Sequence, residues 1–340
     1  MSPSCIDVHA HHYPAAFLEA CGRPGSGYSS YIRDDGRLVV LQDGAVALAA
    51  PQPMPSLRAR LDQMDRAGID TQLLSISAPS VYRIPSATRV GLTRDLNDEF
   101  MAMSDDSGGR LRALATLPLP DVPAALDELE RVIEDPRVAG VFLCTTIDGA
   151  TLDDARFTPL WHALSERETA VLVHPTVAPC TTGIQEFALA LALDYMGQAT
   201  NAIGRLVYSG TLARFPGIRW VFTHLGGSMP FVYHRFDNYY RQFPECRQEI
   251  DVPPTTFLER LHFDTVTLHP PALRCALETL GPDRLLFGTD YPHVPGGLEP
   301  FVDLIDQADL EPGALAAILA GNAEKLFAGL TSEPPDRPAA

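Results

Sequence analysis

The stretch Ile6-Asp7-Val8-His9-Ala10-His11 is a short apolar strand that ends in two histidines. Because alternate side chains of a strand point to the same face, His9 and His11 can both reach one point just beyond it. That spacing suits two ligands of one metal ion. Three later apolar runs also stop at a potential ligand, namely Ala170–His174, Arg219–His224 and Arg284–Asp290. We therefore expect four strand ends to converge on one site.

Alternating strand and helix signals continue along the rest of the chain. After the first strand, the predicted strands are 70–76, 111–116, 138–143, 170–173, 218–223, 261–266 and 284–289. At least one helical stretch follows each of the eight, and the longest covers 184–213. Eight βα units predict an α/β fold, a (β/α)₈ TIM barrel whose strand carboxyl ends line the active-site face. The ligand candidates then fall at strands 1, 5, 6 and 8.

A segment that does not fit the repeat, residues 12–55, follows the first strand. It contains a predicted hairpin in which Asp43-Gly44, a strong two-residue turn signal, joins two short apolar runs. We expect this small insertion to lie over the site. The 340 residues, 46% of them hydrophobic, predict one domain over 1–332, and the Pro-rich end, 333–340, predicts a disordered tail.

Composition argues against several classes of partner. The net charge is −17 and no Lys/Arg cluster forms the basic surface that nucleic acid or an anionic membrane requires. No apolar run approaches the roughly 18 residues of a membrane span, and the N-terminus has no leader-like segment. The six cysteines contain no CxxC pair, which suits reduced thiols. We expect a cytoplasmic protein without nucleic-acid or membrane partners.

The single lysine, Lys325, restricts the chemistry further. A Schiff base to pyridoxal phosphate or to substrate, or a carbamylated lysine between two metals, must use this residue or be absent. The predicted fourth strand, 138–143, supplies no bridging lysine, which disfavours a binuclear centre. We expect no organic cofactor.

The strand ends supply a mixed set of candidate metal ligands. They are His9, His11, His174 and Asp290, with His224 as a fifth candidate. Three imidazoles and one carboxylate suit zinc and would also accept manganese or another divalent ion, and the pattern leaves the metal and the number of ions open. Each residue alone fits a structural histidine or a strand-end cap equally well. Their shared position favours a site.

Two further residues are candidates for substrate binding. His293 follows closely after Asp290, where pocket lining and loop surface are equally consistent with the sequence. Arg235 lies one helical segment beyond His224. A solvated arginine on a helix is the simpler interpretation, but an anionic substrate would need such a partner.

The motifs Ile6–His11, Val173-His174-Pro175, Thr223–Gly227, Phe287–Pro292 and Gly321-Asn322-Ala323 together resemble the amidohydrolase-related family of aminocarboxymuconate semialdehyde decarboxylase, over nearly the whole chain. That family is a deformed (β/α)₈ barrel with a single metal. The resemblance implies metal ligation by His9, His11, His174 and Asp290, with His224 as the acid/base residue. It also implies a homodimer in which an arginine at the place of Arg235 reaches the partner's pocket.

The chain departs from the namesake enzyme at the hairpin. There a substrate-binding arginine follows the Asp-Gly turn, whereas here Asp43-Gly44 runs into Ala45-Val46-Ala47-Leu48. We therefore expect a metal-dependent, non-oxidative decarboxylase of a small unsaturated or aromatic carboxylic acid, resembling the family's resorcylate-type and salicylate-type members. The proton donor to the carboxyl-bearing carbon is Asp290 or a water on the metal assisted by His224. The alternatives are a mononuclear lactonase or amidohydrolase, a hydratase, and a non-catalytic metal-binding module.

Overall fold

The computed structural model describes residues 4–177, 182–293 and 297–330. In these residues the strands are β1 (Ile6–His11), β2 (Ser29–Ile32), β3 (Leu38–Gln42), β4 (Ala45–Ala50), β5 (Thr71–Ser75), β6 (Leu111–Ala115), β7 (Val138–Cys144), β8 (Thr146–Ile147), β9 (Ala150–Thr151), β10 (Ala170–His174), β11 (Arg219–Phe222), β12 (His262–Asp264) and β13 (Leu285–Leu286). The α-helices are α1 (Ala15–Gly22), α2 (Leu57–Ala67), α3 (Ser86–Asp106), α4 (Val122–Val132), α5 (Thr158–Glu166), α6 (Tyr195–Tyr208), α7 (Thr211–Arg214), α8 (Met229–Gln242), α9 (Thr255–Leu258), α10 (Pro270–Leu280), α11 (Glu299–Asp306), α12 (Pro312–Ala316) and α13 (Asn322–Leu326).

Eight parallel strands form the barrel, in the order β1-β5-β6-β7-β10-β11-β12-β13. The first strand closes it against the segment that follows β13. There the Val8 N–H donates to the Phe287 carbonyl at 3.0 Å, and the Asp290 N–H donates to the His9 carbonyl at 2.8 Å. Every residue of β1, β7 and β10 is buried, as expected of strands covered by helices on the outside. The predicted (β/α)₈ barrel is confirmed, with the ligand candidates at its first, fifth, sixth and eighth strands.

Two predicted elements are too long. The helix expected over 184–213 begins only at the π-helical turn Ala190–Asp194, because Phe187 and Ala188 have left-handed φ values of 56° and 55°. The strand expected over 284–289 is confined to β13. The Phe287 N–H donates to the Ile318 carbonyl at 2.9 Å instead of to a neighbouring strand, so the regular ladder ends there.

The insertion after β1 contains more secondary structure than the sequence predicts. The β3–β4 hairpin is confirmed, and its turn residues Asp43 and Gly44 have φ values of 51° and 80°, as the favoured two-residue turn requires. Helix α1 and strand β2, which pairs antiparallel with β3, were not predicted. The strands of this small sheet cover the carboxyl end of the barrel. The predicted tail, 333–340, lies outside the described residues.

Two further expectations concern the outside of the barrel. Lys325 is exposed on α13, and its carbonyl lies 3.4 Å from Nη1 of Arg219, at the amino end of β11. Since the ligand candidates follow the carboxyl ends of the strands, the only lysine lies at the opposite face of the barrel. Among the described residues, no helix has the length and apolar character needed to cross a membrane.

Candidate active site

The four predicted metal ligands come together at the carboxyl end of the barrel. Nε2 of His9 and Nε2 of His11 are 2.9 Å apart, and Oδ1 of Asp290 lies 3.3 Å and 3.1 Å from them. The ring of His174 is centred 5.2 Å from each of the two other rings. Side chains from β1, β10 and the segment after β13 therefore surround one point.

A buried hydrogen-bond network holds β1 against the segment that carries Asp290. The Asp7 carboxylate accepts bonds from the Thr289 hydroxyl at 2.6 Å and from Nε2 of Gln72 at 2.8 Å. Burial raises the pKa of Asp7 to about 6, and the bonds from Thr289 and Gln72 oppose that rise. Asp290 itself has a φ of 57°. Such a backbone is costly for a non-glycine residue and is characteristic of functional sites.

His224 reaches the same point from a tight turn after β11. Its φ is 53°, and the turn continues through Gly226 and Gly227. A Cβ on Gly226 would lie 2.6 Å from the Phe263 ring, and one on Gly227 would lie 2.0 Å from the Met196 carbonyl, so only glycine fits either position. These contacts explain why the chain needs two consecutive glycines beside His224.

Each of the three strand-end imidazoles has its Nδ1 engaged by a neighbouring oxygen. The contacts are His9 to Asp264 Oδ2 at 2.5 Å, His11 to Ser75 Oγ at 3.1 Å, and His174 to the Pro175 carbonyl at 2.7 Å. An Nδ1 that donates leaves a lone pair on Nε2, and metal-binding histidines are typically held in this way. Two such lone pairs at 2.9 Å repel unless a proton or cation lies between them. The donor set therefore fits a divalent metal ion.

The charges of these side chains also favour a bound cation. Burial by itself lowers the pKa of His9, but the carboxylates of Asp264 and Asp290 raise it to about 10. Burial lowers the pKa of His11 to about 3 and brings that of His174 well below its ordinary value. Burial disfavours the charge of Asp290, yet positive His9 holds its pKa well below the usual range. For the side chains alone, protonated His9 carries one positive charge against the two carboxylates of Asp264 and Asp290, so the cluster keeps a net negative charge that favours a cation.

His224 differs from the three engaged histidines. Its ring is centred 5.1 Å from His9 and 5.3 Å from His174, so its nitrogens belong to the same cluster. Among the described residues, however, neither ring nitrogen has a hydrogen-bond partner. Burial lowers the pKa of His224, which leaves a neutral imidazole near pH 7. An unanchored, neutral imidazole is better suited to proton transfer than to fixed ligation.

A cavity of about 470 Å³ opens above the cluster, a size typical of small-molecule sites. Its inner part is formed by His174, His224, Asp290 and His293. Its remaining lining comes from the insertion, from the residue two positions after β5, and from the π-helical turn and the start of α6: Arg33, Asp35, Arg37, Ala47, Leu48, Ala49, Ser77, Leu191, Tyr195 and Met196. The cavity thus joins the histidine cluster to a charged part formed by Arg33, Asp35 and Arg37, with apolar side chains such as Leu48 and Leu191 in the wall.

The two predicted substrate-binding residues are placed differently. His293 lines the cavity, and its Nε2 contacts the hydroxyl of buried Tyr13. Arg235 lies on the exposed side of α8 and does not line the cavity of its own chain. Its Nη2 donates to the Tyr239 hydroxyl at 2.8 Å, and its guanidinium lies 5.0 Å from the centre of that ring. The substrate-binding roles of both residues remain predictions.

Three residues around the site were not predicted from the sequence. Asp264 ends β12 after His262-Phe263, so the rule that selected Asp290, an acid at the end of an apolar run, would also have selected it. Ser75 ends β5 in the same way. Arg37 had no such signal, because its place in the cavity depends on how the insertion folds back over the barrel.

The family model described as Amidohydrolase matches residues 6–329, which include every candidate ligand. The chain belongs to the amidohydrolase family. This membership confirms the resemblance drawn from the motifs.

Several relatives of this amidohydrolase are named as decarboxylases. The chain is 28% identical over 334 residues to 6-methylsalicylic acid decarboxylase of Penicillium expansum, with 95% of both chains covered. It is 24% identical to 2-amino-3-carboxymuconate-6-semialdehyde decarboxylase of Dictyostelium discoideum, covering 96% of this chain and 91% of the relative. It is 27% identical to gamma-resorcylate decarboxylase of a Polaromonas strain, covering 80% and 90%.

Solved structures share the amidohydrolase barrel. The 5-carboxyvanillate decarboxylase of Sphingomonas paucimobilis is 25% identical, with a TM-score of 0.81, and 96% of this chain and 99% of that chain are covered. A dihydroxybenzoic acid decarboxylase from Polaromonas, solved with manganese and 2-nitroresorcinol, is 20% identical with a TM-score of 0.77 and coverage of 95% and 96%. At that identity the second likeness shows the fold alone.

Proposed function

We propose that this amidohydrolase is a metal-dependent, non-oxidative decarboxylase of a small aromatic, hydroxybenzoate-like carboxylic acid. The observation that carries the proposal is the convergence of His9, His11, His174 and Asp290 at the inner end of a cavity that unanchored His224 also lines. Relatives named as decarboxylases of 6-methylsalicylic acid and of gamma-resorcylate support it, because their named substrates are hydroxybenzoates.

We propose His9, His11, His174 and Asp290 as the ligands of one divalent ion, Zn²⁺ or Mn²⁺. The anchored Nδ1 atoms of the three imidazoles support this assignment. The manganese of the Polaromonas enzyme supports Mn²⁺ as the alternative to zinc. When bound, such an ion orients a carboxylate or an adjacent hydroxyl and stabilises negative charge that develops on the substrate.

His224 and Asp290 are the proposed proton-transfer residues. Decarboxylation requires a proton on the ring carbon that carries the carboxylate, which interrupts the conjugation of the ring. The bond to the carboxylate then breaks, its electron pair restores the ring, and CO₂ leaves. Buried His224 is neutral in the free protein, so it can accept the proton of the substrate's hydroxyl group and pass it to the ring carbon, leaving a phenolate that is reprotonated from solvent. Asp290 faces the same space; because its low pKa leaves it ionised in the free protein, it can be the alternative donor only after it has taken a proton from the bound substrate.

The reaction is tested by incubating metal-loaded protein with hydroxybenzoates, muconate-like acids and lactones. CO₂ release and ring opening are measured in parallel. We expect CO₂ from a hydroxybenzoate whose ring stays intact. New acid without CO₂ would contradict decarboxylation and favour the hydrolase alternative, in which His224 would activate water for attack on an ester or amide.

The role of His224 is tested by His224→Asn, with His162→Asn on the exposed side of α5 as the matched control. We expect His224→Asn to lower kcat by about 10²–10⁴-fold, as removal of a general acid/base typically does. Bound metal, measured by elemental analysis, should not change. Full activity in this variant would refute the assigned role.

A homodimer and a role for Arg235 in the partner's pocket form part of the proposal. Helix α8 supports it, because Phe231 on this helix is 87% exposed and Phe243 just after it is 40% exposed. Phe231→Asp should shift the sedimentation coefficient to that of a monomer, and unchanged sedimentation would contradict this interface. Arg235→Gln should raise KM if the arginine reaches the partner's substrate. The cytoplasmic location stays a prediction.

A further inference from the structure

Helix α2 places a buried arginine where the barrel closes. The Arg60 side chain is fully buried, and its Nη2 donates to the His11 carbonyl at 2.6 Å. Its Nη1 donates to Oε1 of Gln72, on the neighbouring strand β5, at 3.0 Å. The guanidinium carbon also lies 4.7 Å from the centre of the Tyr291 ring. One side chain therefore contacts β1, β5 and the segment that follows β13.

Two of these contacts are made to segments that carry proposed metal ligands. His11 is itself a proposed ligand, and Tyr291 directly follows Asp290. The His11 N–H donates to the Tyr291 carbonyl at 2.7 Å, so the backbone of His11 is held on one side by Tyr291 and on the other by Arg60. Nε2 of His11 and Oδ1 of Asp290 are 3.1 Å apart. A shift of either segment would change this distance directly.

The burial of this guanidinium is costly. No carboxylate oxygen of the described residues lies within 4.0 Å of its nitrogens, and the Asp7 carboxylate is connected to it through Gln72, whose Nε2 donates to Oδ2 of Asp7 at 2.8 Å. Nε of Arg60 has no hydrogen-bond partner in the described part of the chain. An apolar side chain of similar length would avoid the cost of burying the charge. What the arginine adds is its contacts to His11 and Tyr291.

We propose that Arg60 is a positioning residue that fixes the spacing of His11 and Asp290 for the metal ion, an inference that rests on the ligand set of the proposed function. A guanidinium is a rigid planar fork, so it can hold a carbonyl and an amide in fixed positions while its face contacts a ring. Its positive charge acts in the opposite direction, because it repels a metal cation. Loss of Arg60 should therefore weaken metal binding if position dominates and strengthen it if charge dominates.

The test measures Zn²⁺ and Mn²⁺ affinity by competition with a chelating dye, together with the visible absorption spectrum of bound Co²⁺, which reports the geometry of its ligands. Arg60→Met removes the charge and both hydrogen bonds with little change in length. We expect it to weaken the binding of both ions by about 10- to 100-fold, as loss of a contact behind a metal ligand typically does, and to change the Co²⁺ spectrum. Arg60→Lys keeps the charge but loses the fork, so it should also weaken binding.

Arg89→Met is the matched control, because Arg89 on α3 is also buried and its Nη1 donates to the carbonyls of Tyr82 and Ile84 at 2.9 Å and 3.0 Å. It should lower the free energy of unfolding but leave metal affinity and the Co²⁺ spectrum unchanged, because neither carbonyl belongs to a segment that carries a ligand. Tyr291→Leu keeps Arg60 and removes the ring that its guanidinium contacts. It should weaken metal binding by about 2- to 30-fold, and it tests the inference if the arginine variants do not fold.

Unchanged or tighter metal binding in the folded Arg60 variants, or in Tyr291→Leu when those variants do not fold, would overturn the inference. Equal losses of metal affinity in Arg60→Met and Arg89→Met would also overturn it, as would an unmodified protein that binds no metal. If metal affinity depends on Arg60 but no acid yields CO₂, the inference stands and the proposed decarboxylase function fails. CO₂ release together with metal affinity that is independent of Arg60 would refute the inference and leave the proposed function in place.

Discussion

Replacement of Asp264 by asparagine should weaken metal binding at the candidate centre, although Asp264 is not one of the proposed ligands. Oδ2 of Asp264 lies 2.5 Å from Nδ1 of His9, and its Oδ1 accepts the Val266 N–H at 3.0 Å. Both side chains of the first pair are fully buried. The aspartate therefore fixes the ring so that Nδ1 donates and Nε2 faces the cluster.

An amide cannot reproduce both contacts. If its oxygen keeps the bond from Val266, its NH₂ faces Nδ1 of His9, and the proton of the imidazole must move to Nε2, where it blocks ligation. If the amide is turned round, its NH₂ faces the Val266 N–H, and that buried donor loses its acceptor. Changes of this kind next to a metal-binding histidine typically cost 10- to 100-fold in metal affinity, or about 1.4–2.8 kcal/mol.

The assay is competition with a chelating dye for Zn²⁺ and for Mn²⁺, with thermal unfolding as a check that the fold is intact. Asp62→Asn on α2 is the control, because it makes the same change of charge at the surface. Asp264→Asn should weaken metal binding while the control does not. Unchanged affinity in a folded Asp264→Asn protein would refute both the tautomer argument and the role of His9 as a ligand.

Three further predictions use other contacts. The carboxylates beside His9 raise its pKa to about 10. Protonation of His9 therefore stabilises the metal-free fold; this contribution is fully present below about pH 6.5 and is lost as pH rises through 10. A metal ion must displace the same proton, so metal affinity should rise about tenfold per pH unit above neutrality. Metal affinity that does not change with pH in chelator competition would contradict this. Gly227→Ala should lower the free energy of unfolding in urea by about 2–5 kcal/mol. Gly91→Ala is the control and should not lower it, because no atom lies within 4 Å of the added Cβ. Equal effects of the two changes would contradict the requirement for glycine in the turn beside His224. Tyr195→Phe removes the 2.8 Å bond to the Ala47 carbonyl and should cost about 0.5–1.5 kcal/mol with metal affinity unchanged; a loss of metal would mean that the insertion supports the ligands.

The sequence by itself determined the barrel and the identity of the candidate ligands. Both follow from local rules, because a short continuous apolar run followed by a helical stretch indicates a buried parallel strand, and its last residue marks the carboxyl end. Equivalent ends of parallel strands meet at one face, so His9, His174 and Asp290 could be predicted to converge although they lie far apart in sequence. The Asp43-Gly44 turn is local in the same sense.

Only the tertiary structure decided which contacts support those residues. Asp264 reaches His9 from a strand 255 positions away in the chain, and no periodicity specifies that pairing. Arg37 enters the cavity only because the three-stranded insertion folds back over the barrel. The left-handed backbone at Phe187, which delays the helix before α6, likewise depends on packing. Local propensity sets the elements, whereas the partners of a buried polar group are set by whatever the completed fold places beside it.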